Sequence, residues 1–293
     1  MGHDKFLEDE MFNKFIFAIM LLTLATLACG FQTNLPNMAT PGPDITSQVS
    51  VPVPDADTSL TLSFGAGKLV LAPGATNLVD GTATYNIPDF KPEIKTEAGD
   101  ISIAQGDYKM TGFPALNNIK NEWTLNLGSA PMSLKINAGA YEGHFDFGGL
   151  ALTNLSVNDG AAEVTADFSA PNSEKMSVLS YKTGASNVTL KNLGNANFSS
   201  LVFESGAGNY TLHFGGKLQR DGSVNVRSGM SNLTLVIPPG VAASVKVSSG
   251  LSNVQVPSEW THAQNSDTYT QKGSGPTLTI VIEMGAGNVQ ISQ

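Results

Sequence analysis

The chain has 293 residues, 41% hydrophobic and only 14% charged, with 30 glycines, a composition suited to short strands and tight turns around an extended core. Its formal net charge is −9 with Lys and Arg scattered, which excludes the basic stripe that grips a phosphate backbone, so no nucleic-acid partner is expected. The single cysteine, Cys29, excludes an internal disulfide framework and any zinc site built on paired thiolates.

Residues 1–28 read as an export signal, with translation starting at Met1 or at Met11. Lys14 precedes an almost wholly apolar run from Phe15 to Ala28, too short to span a bilayer comfortably and ordered charge first, apolar second. The run ends Leu24-Ala25-Thr26-Leu27-Ala28-Cys29, which resembles the lipobox of bacterial lipoproteins, apart from Thr26, where leucine is usual. The resemblance implies lipidation of Cys29, hence a membrane-anchored extracytoplasmic protein at the cell surface or in the periplasm. A plain signal peptide with an incidental cysteine is the other reading.

Residues 29–57 then read as the lipidated cysteine and a tether. Between Gly30 and Asp57 there is no Lys or Arg, and Pro36, Pro41, Pro43, Pro52 and Pro54 fall among Thr, Ser, Asn and Asp. Such a segment buries too little apolar surface to offset its ordering entropy, and at about 3.1 Å per residue it reaches roughly 80 Å.

Residues 58–121 show strand alternation at Leu60, Leu62, Phe64, Ala83, Tyr85, Ile87, Ile101 and Ile103, with turn signals between them and no capped helical period. This stretch is read as a β-rich subdomain that starts a stack and blocks its end.

Residues 122–293 carry a repeat. Phe203-Glu204-Ser205-Gly206-Ala207-Gly208-Asn209-Tyr210-Thr211-Leu212 recurs in variant form around Gly184, Gly229 and Gly250, with the first glycines 22, 23 and 21 residues apart. Gly160 and Gly139 extend the series upstream. A period in this range signals a stacked architecture. Each period offers two short apolar sets, such as Tyr210, Leu212 and Phe214 with Val224 and Val226, too few to offset the entropy of a lone coil, so stability must come from stacking. Glycine is expected to supply positive φ at a turn. Asn187, Asn209, Asn232, Asn253 and Asn288 share one position and read either as an amide ladder between coils or as a ligand-binding stripe. The Asn-x-Ser/Thr triplets fall out of the repeat itself and are not read as glycan sites.

The last copy, at Gly285, follows Gly250 by 35 residues, one coil plus an insertion at 257–276. That insertion holds Trp260, His262 and Tyr269 and reads either as a cover for the end of the stack or as a binding face of exposed aromatics. The final copy is expected to close the ladder.

Catalytic patterns are missing. Outside the leader and the tether no two carboxylates have the i, i+2 spacing that places both on one strand face, His144, His213 and His262 are isolated, and there is no nucleophile elbow, phosphate loop or His-Glu-x-x-His. No enzyme activity, cofactor or metal is expected.

The lipobox-like leader, Leu62-Ser63-Phe64-Gly65-Ala66-Gly67-Lys68-Leu69 and the Ser/Thr-Gly-x-Ser/Gly-Asn rungs together resemble the toast-rack and adhesin-head families of bacterial envelope proteins. The resemblance covers about Thr58 to Gln293 and implies an all-β, stacked solenoid, β-helix-like, with coils of roughly 22 residues and no known catalytic set. The function expected is adhesion or binding at the envelope, to a glycan or a membrane protein. An accessory sensor in envelope-stress signalling and a polysaccharide-active β-helix enzyme are the alternatives.

Overall fold

The computed structural model describes residues 41–106, 119–262 and 266–293. The leader, Met11, Cys29 and the first part of the tether lie outside the described residues. Among the described residues fifteen strands make one hydrogen-bonded sheet, with no α-helix and only two short 3-10 turns. The strands are β1 (Ile45–Val51), β2 (Thr58–Pro73), β3 (Val79–Tyr85), β4 (Pro92–Glu97), β5 (Asp100–Gln105), β6 (Asn121–Leu127), β7 (Met132–Asp146), β8 (Leu152–Asp167), β9 (Met176–Lys191), β10 (Phe198–His213), β11 (Gly222–Val236), β12 (Gly240–Gln255), β13 (Thr261–His262), β14 (Thr268–Gln271) and β15 (Gly273–Ser292). The stacked all-β solenoid read from the sequence is the fold observed.

Each long strand is one rung, folded over at its glycine. Along β10, Leu201 and Phe203 are buried while their neighbours face outward; Gly206 and Ala207 are then both exposed, and the buried set resumes as Tyr210 and Leu212. Because side chains alternate with period two, two successive outward residues shift the inward phase by one. The strand therefore turns a corner there and lays its second arm across from its first, with apolar side chains between. The same pattern is seen in β9 at Gly184-Ala185 and in β11 at Gly229-Met230. Parallel in-register pairing then stacks rung on rung: Phe203 lies between Tyr181 and Val226, and Tyr210 between Val188 and Leu233. The core runs the length of the stack, and its aromatics meet across rungs and arms, as in the Tyr181–Phe203 pair at 5.6 Å and the Phe203–Tyr210 pair at 5.2 Å.

Chain order and stack order differ at both ends. The first complete rung is β2, paired to β7 along both arms. Its first arm is continued by β5 and then antiparallel β4, its second arm by β6 and then antiparallel β3 and β1. Strand β1 lies inside the stretch read as a tether and corrects that reading: Val49 and Val51 are buried against the cap, so an unfolded spacer cannot extend past residue 44. The prolines masked a short alternating strand between them.

The second correction concerns the last copy. Strand β15 does not close the ladder but lies between β11 and β12, so β12 is the terminal rung. The physical reason is the insertion: β14 runs antiparallel along Ala243–Lys246 of β12 and pairs with β13, reversing the chain so that β15 can run parallel to both neighbours.

Candidate functional surface

The rung glycines form a column, and their role is not the expected one. Gly184, Gly206, Gly229, Gly250 and Gly285 are not among the positive-φ residues. What they need is space. A Cβ on Gly206 would stand 2.7 Å from the carbonyl oxygen of Gly184, one on Gly229 2.8 Å from that of Gly206, and one on Gly285 2.7 Å from that of Gly229. The left-handed conformation occurs two residues later, at Gly208 (φ 148) and Gly287 (φ 133), where a Cβ would meet the Ser186 or Ser231 carbonyl oxygen at 1.8 or 1.9 Å.

The asparagine row forms an amide ladder. The Asn209 Nδ2 donates to Asn187 Oδ1 at 2.8 Å, Asn232 to Asn209 at 2.9 Å and Asn288 to Asn232 at 2.7 Å. Asn253 stands in register beside Asn288, yet among the described residues it makes no amide bond to it. The ladder runs upstream into Glu163, Glu142 and Lys68 on the same column. There Glu142 accepts from His144 at 2.6 Å and from Lys68 at 3.3 Å, which holds its carboxyl below the usual range, the His144 bond most of all.

On the first arm the outward residues beside the corner make a column of alternating charge. Lys182 Nζ meets Glu204 Oε2 at 2.9 Å, Arg227 Nη1 meets Glu204 Oε1 at 3.7 Å, and Arg227 Nε meets Glu283 Oε2 at 3.0 Å. The Lys182 bond, ahead of the charges themselves, lowers the Glu204 pKa. Shallow open grooves run along this column between Asn158 and Glu283. With each charge already paired to its neighbour, they offer a mixed polar surface without one sign of field.

Beneath the corner the inward column holds hydroxyls that satisfy one another: Thr183 to Ser186 at 2.6 Å, Ser205 to Ser228 at 2.9 Å and Ser228 to Ser231 at 2.7 Å. One rung places Asp159 in this column. Its Oδ2 accepts from Tyr181 at 2.7 Å and from Tyr141 at 3.3 Å, while its Oδ1 is buried without a partner among the described residues. Burial first, and the nearby carboxylate after it, push the Tyr141 phenol up, and burial dominates for Tyr181 as well. Phenols held protonated donate to the carboxylate and are in the wrong state for a base.

Trp260, His262 and Tyr269 do not form an exposed aromatic face. Trp260 is 5% exposed and belongs to the core, while His262 packs against Tyr269 with ring centroids 5.4 Å apart on the β13–β14 hairpin. The insertion is a cover for the first arm of β12. Among the described residues no three His, Cys, Asp or Glu side chains come together as a metal site. The stack brings together carboxylates that the i, i+2 test missed, Glu142 beside Glu163 and Asp146 beside Asp167. Their sequence separation is one period, so the period itself was the signal that could have found them. Asp146 is engaged by Gly148 N and Ser169 Oγ and Asp167 by Asn192 Nδ2, and a lowered Glu142 is tuned away from acid catalysis.

A family model described as the N-terminal domain of toast_rack matches residues 40–191, just over half the chain and ending on the last residue of β9. The chain is a toast-rack protein. A solved structure agrees on the fold. A candidate cell adhesion protein from Clostridium sporogenes superposes with a TM-score of 0.50 at 24% identity, covering 87% of the toast-rack chain and 100% of its own. A candidate adhesin from Bacteroides fragilis gives 0.40 at 11% identity over 87% and 99%, and a candidate lipid-binding protein from Parabacteroides distasonis gives 0.40 at 12% over 86% and 98%. No curated protein matches the toast-rack chain by sequence.

Proposed function

We propose that this toast-rack protein is a lipid-anchored, extracytoplasmic binding module that acts in adhesion at the cell envelope without catalysing a reaction. The observation that carries the reading is the junction Ala28-Cys29, a lone cysteine at the end of an export-type leader, placed ahead of a rigid repeat stack. Support comes from the use made of polar groups: amides bond amides and charges pair with charges, as a scaffold requires, and Glu142 is held below the usual carboxylate range, away from acid duty. The same fold carries a candidate cell adhesion protein in Clostridium sporogenes. The test has two arms. Labelled fatty acid should enter the wild-type chain in a bacterial host and be lost in Cys29→Ala; equal labelling of both sinks the anchor. Retention on peptidoglycan, surface polysaccharide or membrane-protein extracts is expected from the binding role, and failure on all three overturns it.

A further inference from the structure

The two arms of the terminal rung are finished differently. On the first arm β14 covers Ala243–Lys246, and at the opposite end of that arm the outermost strand, β4, carries Glu93, Lys95 and Glu97, charges that deter pairing. On the second arm of β12, Ser252–Gln255 pairs only with β15 among the described residues, leaving one side of the backbone unpaired. This edge, Leu251–Val256, contains no charge, proline or bulge. Leu251 beside it is 82% exposed, and Met230, two rungs inward on the same corner, is 69% exposed where most other rungs have alanine. An uncovered neutral end rung departs from the rule that solenoid ends are capped.

The other end of the second arm is β1, likewise uncharged from Ile45 to Val51 and, among the described residues, likewise outermost. Two reversals, β1 to β3 and β3 to β6, followed by parallel pairing throughout, leave β1 running in the same direction as β12. Followed rung by rung, Val49 shares its column with Leu71, Leu212 and Ile291. A second copy laid end to end therefore brings Thr46 beside Asn253, Gln48 beside Gln255 and Val49 beside Val256, with inward residues meeting inward residues. Gln48 and Gln255 then stand side by side as an amide pair of the kind the asparagine row makes inside the stack.

We propose that copies of this protein stack head to tail, β1 of one copy adding as a parallel strand to the second arm of β12 in the next. The contact is heterologous, so it builds an open chain of copies rather than a closed dimer. It does not depend on anchoring or on any ligand, and its test reads neither. The full chain is made as Cys29→Ala, and Thr46→Cys is mixed under oxidation with a tagged Asn253→Cys chain. A mixed disulfide dimer is expected on a non-reducing gel, the double variant should give a ladder of multimers, and Gln255→Lys added to the Asn253→Cys chains should abolish both while leaving the melting temperature unchanged. No mixed dimer, equal cross-linking of Thr46→Cys to a cysteine at the remote Ser223, or Asn253→Cys pairing with itself in preference, would overturn the proposal.

Discussion

At the scale of single residues, the repeat string is accounted for by what one rung does to the next. Gly206 and Gly208 look alike in sequence but answer to different constraints. Gly206→Ala puts a Cβ 2.7 Å from the Gly184 carbonyl oxygen, so the backbone of one rung must shift, while Gly208→Ala adds a side chain to a left-handed backbone with the Ser186 carbonyl closer still. Chemical denaturation should show Gly208→Ala destabilised by about 2 kcal/mol or more and Gly206→Ala by about 1 kcal/mol. The asparagines also divide. Asn209 bonds on both sides, so Asn209→Ala should cost about 1 kcal/mol, whereas Asn253→Ala, with no amide bond to its neighbour, should leave the denaturant midpoint where it was. Asn at this position was legible as a ladder from its spacing alone. The conformation of each glycine was not, because φ depends on the corner that the neighbouring rung imposes.

At the scale of elements, the pairing of Asp159 with Tyr141 and Tyr181 ties β7, β8 and β9 together below the corner. Both phenols have folded pKa values above the ordinary 10.0. The stability they contribute is therefore complete below pH 10 and drains as pH rises from there toward their folded values, because the unfolded chain gives up those protons first. Alkaline titration should show unfolding together with tyrosinate absorbance above pH 10, and Tyr181→Phe should flatten the loss; phenols that ionise at pH 10 while the fold stays intact would contradict this. Sequence alternation identified the inward residues of these strands, among them Tyr210 and Leu212, because burial on one face imposes period two. It missed β1, since the prolines flanking Val49 and Val51 carry the composition of a spacer while the strand between them carries the pattern. Asp159 was missed for another reason: its meaning rests on tyrosines one rung away on either side.

At the scale of the whole molecule, the stack is built by neighbours only, so its ends decide its behaviour. The sequence period made the stack itself readable, and the toast-rack resemblance was carried by the same glycine and asparagine positions. The order of the last rungs was hidden, because nothing in a repeat copy states which copy it will lie against. Gly229, Gly250 and Gly285 are equivalent strings, and only the reversal through β13 and β14 sends β15 between β11 and β12. That intercalation means β12 is held to the stack through β15. Deleting residues 273–293 should release β12 and its hairpin together, raising proteolysis between 240 and 271 while the rungs from β7 to β11 keep their protection. A ladder whose last rung is inserted rather than appended makes opposite demands on two engineered disulfides in the Cys29→Ala chain. Asn232→Cys with Asn288→Cys should oxidise to an intramolecular bridge, and Asn232→Cys with Asn253→Cys should not; the reverse result would mean that the rungs stack in chain order.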